Sequence, residues 1–198
     1  KFRIHAPRYT CDQIMRHSVG TAINCQSQRY VDMDENFSIY VPRKVMGDYV
    51  LRAYYENYER TCKEHYQMIR TEMDKRHIKG EKANDLMRTM LPIGVACNLT
   101  MGFTVEALIH FMHKRLCVRA DDPIRKVAML MKKAVVEVEP RYEELLVAQC
   151  VDMMYCPEKH GCGLYPNKDE LKNLIELGEQ MQLYYDAIKS NCDMEDDE

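Results

Sequence analysis

The chain has 198 residues, and its content of 46% hydrophobic and 30% charged residues is typical of a globular protein. This length allows one domain with a sizeable core. The formal net charge is −3 and no long block of Lys and Arg occurs, which argues against a nucleic-acid partner. No apolar run is long enough to span a bilayer and no signal-peptide pattern opens the chain, so we expect no membrane partner.

Nine cysteines are a high count for a chain of this length. Five of them lie singly in periodic or apolar surroundings: Cys11, Cys25, Cys62, Cys97 and Cys117. Isolated cysteines of this kind are typical of reduced thiols, so we expect an intracellular, cytoplasmic protein.

The first forty or so positions predict a small sheet and one helix. Phe2–His5 alternates like a half-buried strand, and Pro7 suits the first turn of a helix that runs to about His17. A polar stretch, residues 16–30, follows, and Phe37–Val41 then predicts another strand. We expect the sheet to consist of Phe2–His5, part of the polar stretch and Phe37–Val41.

Apolar residues at helical spacing predict that the rest of the chain is rich in helix. The predicted helices cover residues 47–76, the stretch from Gly80 to Leu91, residues 104–116, 121–139 and 142–148, and a final helix after Asn167. The fold class is therefore α+β, a helix-rich single domain with a small antiparallel or mixed sheet. Residues 1–148 would form the main unit, and residues 149–198 a cysteine-containing turn and a C-terminal helix with an acidic tail.

The polar stretch and the helix before it carry the side chains of an anion site. Gln13, Arg16 and His17 are spaced i, i+3 and i+4, so they share one face of the predicted helix. A guanidinium binds phosphate through paired hydrogen bonds, and Ser, Asn and Gln side chains add neutral contacts. A solvent-facing stripe followed by a solvated loop is the alternative interpretation.

A second segment, Cys150–Cys162, gathers three cysteines and a histidine. Zinc takes such ligands in tetrahedral sites, which makes Cys150, Cys156, His160 and Cys162 weak metal candidates. The spacing differs from the paired Cys-x-x-Cys of a firm zinc motif. A disulfide, or free thiols in a compact turn, explains the segment at least as well.

The polar stretch resembles the signature of the flavin-dependent thymidylate synthases, the ThyX family. That signature is a helix ending in Arg-His-Arg, a short spacer, and then Asn-Glu-x-Ser-x-Arg-Tyr. The matching residues, after an Ala6-Pro7 that the family also places before this helix, are Gln13, Arg16, His17, Asn24, Ser27, Arg29 and Tyr30.

A second block further along the chain resembles the family in the expected order. It comprises Arg88, Leu91-Pro92, His110-Phe111, Arg115, Ala120 and Ile124-Arg125. The resemblance covers roughly Phe2 to Val138. The Cys150–Cys162 segment looks like a C-terminal extension that some family members carry.

Several positions depart from the family pattern. Ser18 stands where the third signature residue is usually Arg, the spacer has one extra residue, and Cys25 replaces an acidic residue. Thr104 and Glu106 stand where the family often has Asn and Arg. The family's N-terminal segment, which contributes flavin contacts, has no counterpart ahead of Lys1. Most departures fall on positions implied for the flavin, whereas the phosphate positions are largely kept.

The resemblance implies a methyltransferase, one that catalyses the reductive methylation of dUMP to dTMP. FAD would be the cofactor, with NADPH and methylenetetrahydrofolate as co-substrates, and the protein would position and polarise the reactants. Family members are homotetramers with shared active sites, and the aromatic residues of the predicted long helix are compatible with such an interface.

The resemblance also implies which residues form each site. The dUMP site would comprise Gln13, Arg16, Ser27, Gln28, Arg29, Arg88 and Arg115. Within it, Arg29, Arg88 and Ser27 would hold the phosphate. Arg115 would be the catalytic residue, stabilising negative charge on the uracil as N3 loses its proton and C6 accepts hydride. The FAD site would comprise Arg16, His17, Ser18, Asn24, Thr104, Glu106 and His110.

Each of these assignments has an alternative. Arg115 could cap a helix end, and Arg88 could pair with Asp85 or Glu81 on its own helix for about 0.2–0.5 kcal/mol. The departures leave open a non-catalytic or substrate-altered pyrimidine-nucleotide-binding paralogue. The Cys150–Cys162 segment leaves open a metal-stabilised interaction protein.

Overall fold

A computed structural model of the chain describes residues 1–33 and 37–195, with side chains up to residue 183. Within these ranges the sheet has three antiparallel strands in the order β1-β3-β2, namely β1 (Phe2–Pro7), β2 (Thr21–Cys25) and β3 (Ala96–Phe103). The central strand β3 pairs with both neighbours, and its Leu99 lies opposite Ile4 of β1 and Cys25 of β2. The sheet therefore joins two strands from residues 2–25 to a central strand from residues 96–103.

Helices make up most of the remaining described chain. In order they are α1 (Arg8–Met15), α2 (Arg43–Met46), α3 (Tyr49–Lys75), α4 (Glu81–Met87), α5 (Val105–Arg115), α6 (Asp122–Val138), α7 (Gln149–Met153) and α8 (Lys168–Glu195), with 3₁₀ turns at Arg88–Met90 and Pro140–Tyr142. This architecture confirms the helix-rich α+β class predicted from the sequence. No helix in the described ranges is both long and apolar enough to cross a membrane.

Side-chain caps set several of the helix starts. Asp48 accepts hydrogen bonds from Val50 N and Leu51 N at the start of α3. Asn167 and Glu170 form a reciprocal capping box, because Asn167 Oδ1 accepts from Glu170 N and Glu170 Oε2 accepts from Asn167 N. These local signals explain why the boundaries of α3 and α8 were readable.

The composition of the sheet differs from the sequence prediction. Phe37–Val41 is not a strand, since it makes only an isolated bridge from Ile39 to Val95. The central strand β3 was missed. Its buried residues Cys97, Leu99 and Met101 do alternate with outward ones, but the intervening Asn and Gly residues have low strand propensity and hid the pattern.

The predicted helix over residues 142–148 was also wrong. The chain there forms the 3₁₀ turn Pro140–Tyr142 and then turns, and the short helix α7 begins only at Gln149. Leu146 is fully buried while its neighbours Glu144 and Leu145 are exposed. Leu146 is the one fully buried side chain of this segment. A helix needs more apolar packing than this to be stable.

The main core lies between the sheet and helices α1, α5 and α6. Its buried members are Ile4, Ala6, Cys11, Ile14, Cys97, Leu99, Met101, Leu108, Phe111, Met112, Ile124, Ala128, Met131 and Leu146. A smaller cluster packs the middle of α3 against the loop after residue 36 and consists of Phe37, Ile39, Tyr66, Met87 and Val95. By contrast, the first turns of α3 expose Tyr49, Tyr54 and Tyr58.

The core fixes the position of α1 relative to α5. Gln13 lies on α1, and Glu106, His110 and Arg115 lie on α5. Thr104 N, directly before α5, donates to the carbonyl of Gly20 in the turn between α1 and β2 at 2.8 Å. Ile14 of α1 and Phe111 of α5 are both fully buried in the same core. The C-terminal end of α1 is therefore held beside α5.

The missed strand β3 gives a direct test of the fold. Leu99→Ala should lower the free energy of unfolding by about 2–5 kcal/mol, because it opens a cavity in the main core. The matched control Leu86→Ala removes the same atoms from a side chain that is 50% exposed, and should change stability by less than about 0.5 kcal/mol. Urea unfolding of both variants measures this, and equal losses would contradict the central place of β3.

Candidate functional site

A side-chain hydrogen bond joins the end of α5 to the turn after α1. Arg115, the last residue of α5, donates from Nε to Nε2 of His17 at 2.9 Å. The ring of His17 lies 6.2 Å from that of His110 and 5.0 Å from that of Phe111, centroid to centroid. Three residues from the two matched sequence blocks, His17, His110 and Arg115, thus form one cluster.

His17 is held as a neutral imidazole in this cluster. Its pKa is lowered to about 4, first by burial and then by the charge of Arg115 and by His110. Because an arginine can only donate, Nε2 must carry the lone pair and the ring proton lies on Nδ1. At neutral pH His17 is therefore an acceptor that fixes the orientation of the Arg115 guanidinium.

Arg115 and Arg16 are two cationic groups for which the described residues provide no ion-pair partner. The pKa of Arg115 is lowered by burial and by the charge of Arg16. In the part of the chain that the structure describes, no ion pair neutralises either guanidinium. Two unneutralised guanidinium groups whose charges repel each other attract an anion, because an anion relieves this repulsion.

The cluster borders a cleft of about 400 Å³, here called the histidine cleft. Its lining residues are Arg16, His17, Ser18, Val19, Gly20, Thr104, Glu106, Ala107 and His110. Of the positions implied for the flavin, Asn24 alone does not line the cleft in the described residues, since it lies on β2 opposite Thr100. The volume lies within the usual range of ligand pockets, and a dinucleotide such as FAD would extend beyond it.

The histidine cleft depends on a tight turn at Gly20. This residue has φ +69°, and a Cβ there would lie 2.8 Å from Thr104 Oγ1 and 3.0 Å from Ala107 Cβ. Thr104 Oγ1 is engaged as the cap of α5, since it accepts from Ala107 N at 3.2 Å. Only glycine combines this backbone conformation with so close an approach.

A second cationic cluster lies between the turn after β2 and α4. Arg29 pairs with Glu81 at 2.5 Å and with Asp85 at 3.4 Å, and Arg88 pairs with Asp85 at 3.0 Å. The Arg88–Asp85 contact is the same-helix pair that the alternative interpretation predicted. Arg29 Nε and Asp85 Oδ1 are buried and face each other at 3.4 Å, an ion-pair contact without hydrogen-bond geometry.

The other residues implied for dUMP have more varied surroundings. Gln13 is half-buried on α1, and its buried Oε1 has no hydrogen-bond partner in the described part of the chain. Ser27 Oγ accepts from Arg29 N at 3.3 Å and so shapes the turn that carries Arg29. Gln28 is half-buried and is not among the residues that line the histidine cleft.

The residues implied for dUMP therefore fall into two groups. No hydrogen bond or ion pair between described residues links the Arg29–Arg88 cluster to the Arg16–Arg115 pair. In the first group, Asp85 joins Arg29 to Arg88, and Ser27 accepts a hydrogen bond from the backbone of Arg29. A ligand that used both groups would have to span them.

Arg115 also lies in the wall of a second cavity, of about 280 Å³. This wall includes Cys117, Cys150, Cys156 and Cys162. His160 is not part of it, and its backbone carbonyl accepts a hydrogen bond from Arg119. All cysteine side chains that the structure describes are free thiols, and among those residues no group of three or more His, Cys, Asp and Glu side chains is arranged to hold a metal ion.

The sequence indicates the charged residues of the candidate site, but it does not indicate the residues that hold them in position. Glu81 and Asp85 were considered only as ion-pair partners of Arg88, whereas Asp85 contacts both Arg88 and Arg29. Gly20 was visible as an isolated glycine in a polar loop, a signal of a special backbone conformation. Phe111 belongs to the second matched block, but its ring contact with His17 was not predicted.

The sequence model of the Thy1 family, described as thymidylate synthase complementing protein, matches residues 1–141. The chain belongs to this family. Relatives named flavin-dependent thymidylate synthase include a protein of Nitratidesulfovibrio vulgaris Hildenborough, 30% identical over 80% of this chain and 65% of that protein. Others are from Pyrococcus abyssi, 28% identical over 77% of this chain and 62% of that protein, and Pyrococcus horikoshii, 31% identical over 85% and 70%. The chain thus spans under two thirds of the length of the first two relatives.

The fold is similar to that of a solved protein structure. The UMP/dUMP methylase PolB from Streptomyces cacaoi, bound with 5-Br dUMP, matches with a TM-score of 0.57, covering 72% of this chain and 69% of that one. The two sequences are 21% identical. This likeness establishes the shared fold alone.

The turn at Gly20 gives a prediction with a close control. Gly20→Ala should destabilise the protein by about 1–2 kcal/mol from its backbone conformation alone, and further through the contact with Thr104. Gly163→Ala meets a φ of +85° with nothing within 4 Å, so it carries the cost of a positive φ without the contact. Thermal or urea unfolding should rank Gly20→Ala as the less stable variant, and the reverse ranking would contradict the packing described.

The low pKa of His17 predicts how stability depends on pH. Unfolded His17 takes up a proton near its ordinary pKa of about 6.5, whereas folded His17 stays neutral to about pH 4. Between these values the unfolded state binds more protons, so this contribution to stability is present above about pH 6.5 and is lost as the pH falls. His17→Gln should therefore lose less stability than wild type between pH 7 and pH 4.5 in urea unfolding. Equal losses in both proteins would contradict the neutral imidazole.

Proposed function

We propose that this Thy1-family protein is a flavin-dependent thymidylate synthase, which converts dUMP to dTMP using methylenetetrahydrofolate, FAD and NADPH. The observation that carries the proposal is the bond from Arg115 to a neutral His17 beside Arg16, at the edge of the histidine cleft. It combines an unneutralised cationic pair with residues that belong to both implied ligand sites. The family match supports the same reaction.

The proposed role of Arg115 follows from its surroundings. Its guanidinium is half-buried, held by His17 through Nε, and free of carboxylate partners among the described residues. The remaining N–H groups can donate to the oxygen atoms of a pyrimidine ring. Fixed donors of this kind stabilise negative charge as it develops, at no reorganisation cost. Arg115 would therefore orient the uracil and stabilise charge on it while C6 accepts hydride.

We assign the phosphate of dUMP to Arg29 and Arg88, with Ser27 and Gln13. The two guanidinium groups converge on Asp85, which brings their N–H groups close enough together to bind one anion. Gln13 on α1 has a buried amide oxygen without a hydrogen-bond partner among the described residues, so its amide is available to a ligand. A phosphate with charge near −2 needs more than one guanidinium.

The histidine cleft fits part of a flavin. The rings of His17 and His110 offer flat surfaces to a flavin, and Arg16 supplies charge for a phosphate. When bound, the flavin would supply the hydride chemistry. Arg16, His17, Ser18, Thr104 and His110 would hold it, with Asn24 reaching it only from β2.

Glu106 favours a second candidate function. Its carboxylate lines the histidine cleft, where it would repel flavin phosphate or a reduced, anionic flavin ring. A non-catalytic or substrate-altered pyrimidine-nucleotide-binding paralogue would keep the arginines and lose the flavin. Stoichiometric flavin in the purified protein would exclude the non-catalytic paralogue.

We further propose the assembly and organisation of the protein. Residues 1–148 would form the nucleotide- and flavin-binding unit, and residues 149–198 a C-terminal addition, in line with a family match that ends at residue 141. A homotetramer would cover Tyr49 and Tyr54, which are 86% and 70% exposed on α3, and could complete a site whose arginines lie in two groups. The free thiols are typical of a cytoplasmic protein.

The role of Arg115 is tested by turnover. Arg115→Ala should lower dTMP formation by about 100- to 1,000-fold, the usual loss of one charge-stabilising donor, with an unchanged unfolding midpoint. The control Lys126→Ala removes an exposed cation from α6 and should keep wild-type turnover. Wild-type turnover in Arg115→Ala would remove the proposed role, and no dTMP from wild type supplied with all co-substrates would remove the reaction.

The phosphate assignment is tested by comparing two ligands. Arg88→Ala should weaken dUMP binding by about 10- to 100-fold, since a hydrogen bond to a charged group contributes about 1.5–3 kcal/mol, and should leave the weaker binding of deoxyuridine unchanged. Arg60→Ala, an exposed arginine of α3, is the control. Calorimetry measures both affinities, and an equal loss for both ligands would contradict a phosphate contact.

A further inference from the structure

Two cysteines of adjacent strands, outside the proposed site, have their sulfur atoms almost in contact. Cys25 Sγ at the end of β2 lies 3.6 Å from Cys97 Sγ on the central strand β3. Both side chains lie on the core face of the sheet, where Cys97 is 2% exposed and Cys25 is half-buried. The proposed reaction gives neither thiol a task.

The Arg8 guanidinium faces both sulfur atoms. Its Nη1 donates towards Cys25 Sγ at 3.6 Å and Cys97 Sγ at 3.9 Å. The pKa of Cys97 is lowered to about 6, first by a hydrogen bond from the Cys11 thiol, then by one from Cys25 and by Arg8, against the opposing effect of burial. Burial and the contact with Cys97 raise the pKa of Cys25 to about 11. These shifts favour the thiolate form of Cys97 and the thiol form of Cys25.

The strands hold this pair at a distance that small rotations can close. Cys25 lies opposite Leu99, so Cys97 is its diagonal neighbour on β3. The bond from Gln26 N to Asn98 O, at 2.9 Å, continues the pairing just beyond Cys25. A disulfide needs the sulfur atoms to approach to about 2.05 Å, which is a shift of the side chains and a slight approach of the strands.

We propose that Cys25 and Cys97 are a redox-modification site, at which hydrogen peroxide or a related small peroxide converts the thiol pair reversibly to a disulfide. The Cys97 thiolate attacks a peroxide oxygen and the O–O bond breaks, giving Cys97 sulfenic acid and hydroxide. The Cys25 sulfur then attacks the Cys97 sulfur, the S–O bond breaks, and water leaves as the S–S bond forms. The peroxide gains two electrons and the two thiols lose two. Two equivalents of a small thiol reverse the reaction.

Peptide mass spectrometry tests the pairing, because trypsin separates the two cysteines. Cys25 lies in the peptide of residues 17–29 and Cys97 in that of residues 89–114, and neither peptide contains another cysteine. Native protein treated with hydrogen peroxide, then alkylated and digested, should yield these two peptides joined, two hydrogens lighter than their sum. Dithiothreitol should separate them. A pairing of Cys97 with Cys11 or Cys62, or no joined peptide, would overturn the proposal.

Variants separate the two steps. Cys25→Ser should stop the disulfide and leave a sulfenic acid at residue 97 that dimedone labels, whereas Cys97→Ser should abolish both products. Cys62→Ser, on α3, should react like wild type. The rate of disulfide formation should rise with pH through a midpoint near 6 rather than the ordinary cysteine value of about 8.5. A midpoint at the ordinary value, or dimedone labelling at residue 25 in place of 97, would contradict the assigned thiolate, and circular dichroism confirms that each variant is folded.

Discussion

The hydrogen bond from Arg115 Nε to His17 Nε2 is the interaction on which the candidate site depends. It joins the last residue of α5 to the turn after α1, elements that the sheet and the main core already hold side by side. The bond requires His17 to be neutral, and burial together with the charge of Arg115 keeps it so. A weakly basic acceptor thus orients a strongly basic donor, and the donor keeps its other N–H groups for a ligand.

Charge is distributed differently in the two groups of arginines. Arg29 and Arg88 converge on Asp85, which positions them while partly neutralising them, so a phosphate would compete with a carboxylate. Arg16 and Arg115 have no such partner in the described chain, and their repulsion favours an incoming anion. The first group is suited to selecting a strong, doubly charged anion, and the second to stabilising charge that appears only during a reaction. A nucleotide monophosphate has both features.

The sequence predicted the parts whose signals are local. Helices α3, α5 and α6 follow the helical period. Each is directly preceded by a polar or acidic residue of the kind that starts helices, namely Asp48, Thr104 and Asp121. Strand β3 was missed because its outward positions hold Asn98, Thr100 and Gly102, and its identity as a strand comes from pairing on both sides. The grouping of the arginines could not be read from the sequence, since it depends on which carboxylates the fold brings to each of them. The same holds for the Cys25–Cys97 pair, which lies 72 positions apart along the chain.

The central claim is that the histidine cleft and Arg115 serve one shared site for a flavin and a pyrimidine nucleotide. A flavin absorbance titration of the protein, with and without dUMP, tests this most directly. The account predicts saturable FAD binding, and the flavin spectrum should shift when dUMP is added, because both ligands would contact Arg16, His17 and Arg115. FAD binding that dUMP leaves spectrally unchanged, or dUMP binding with no FAD binding at all, would contradict it.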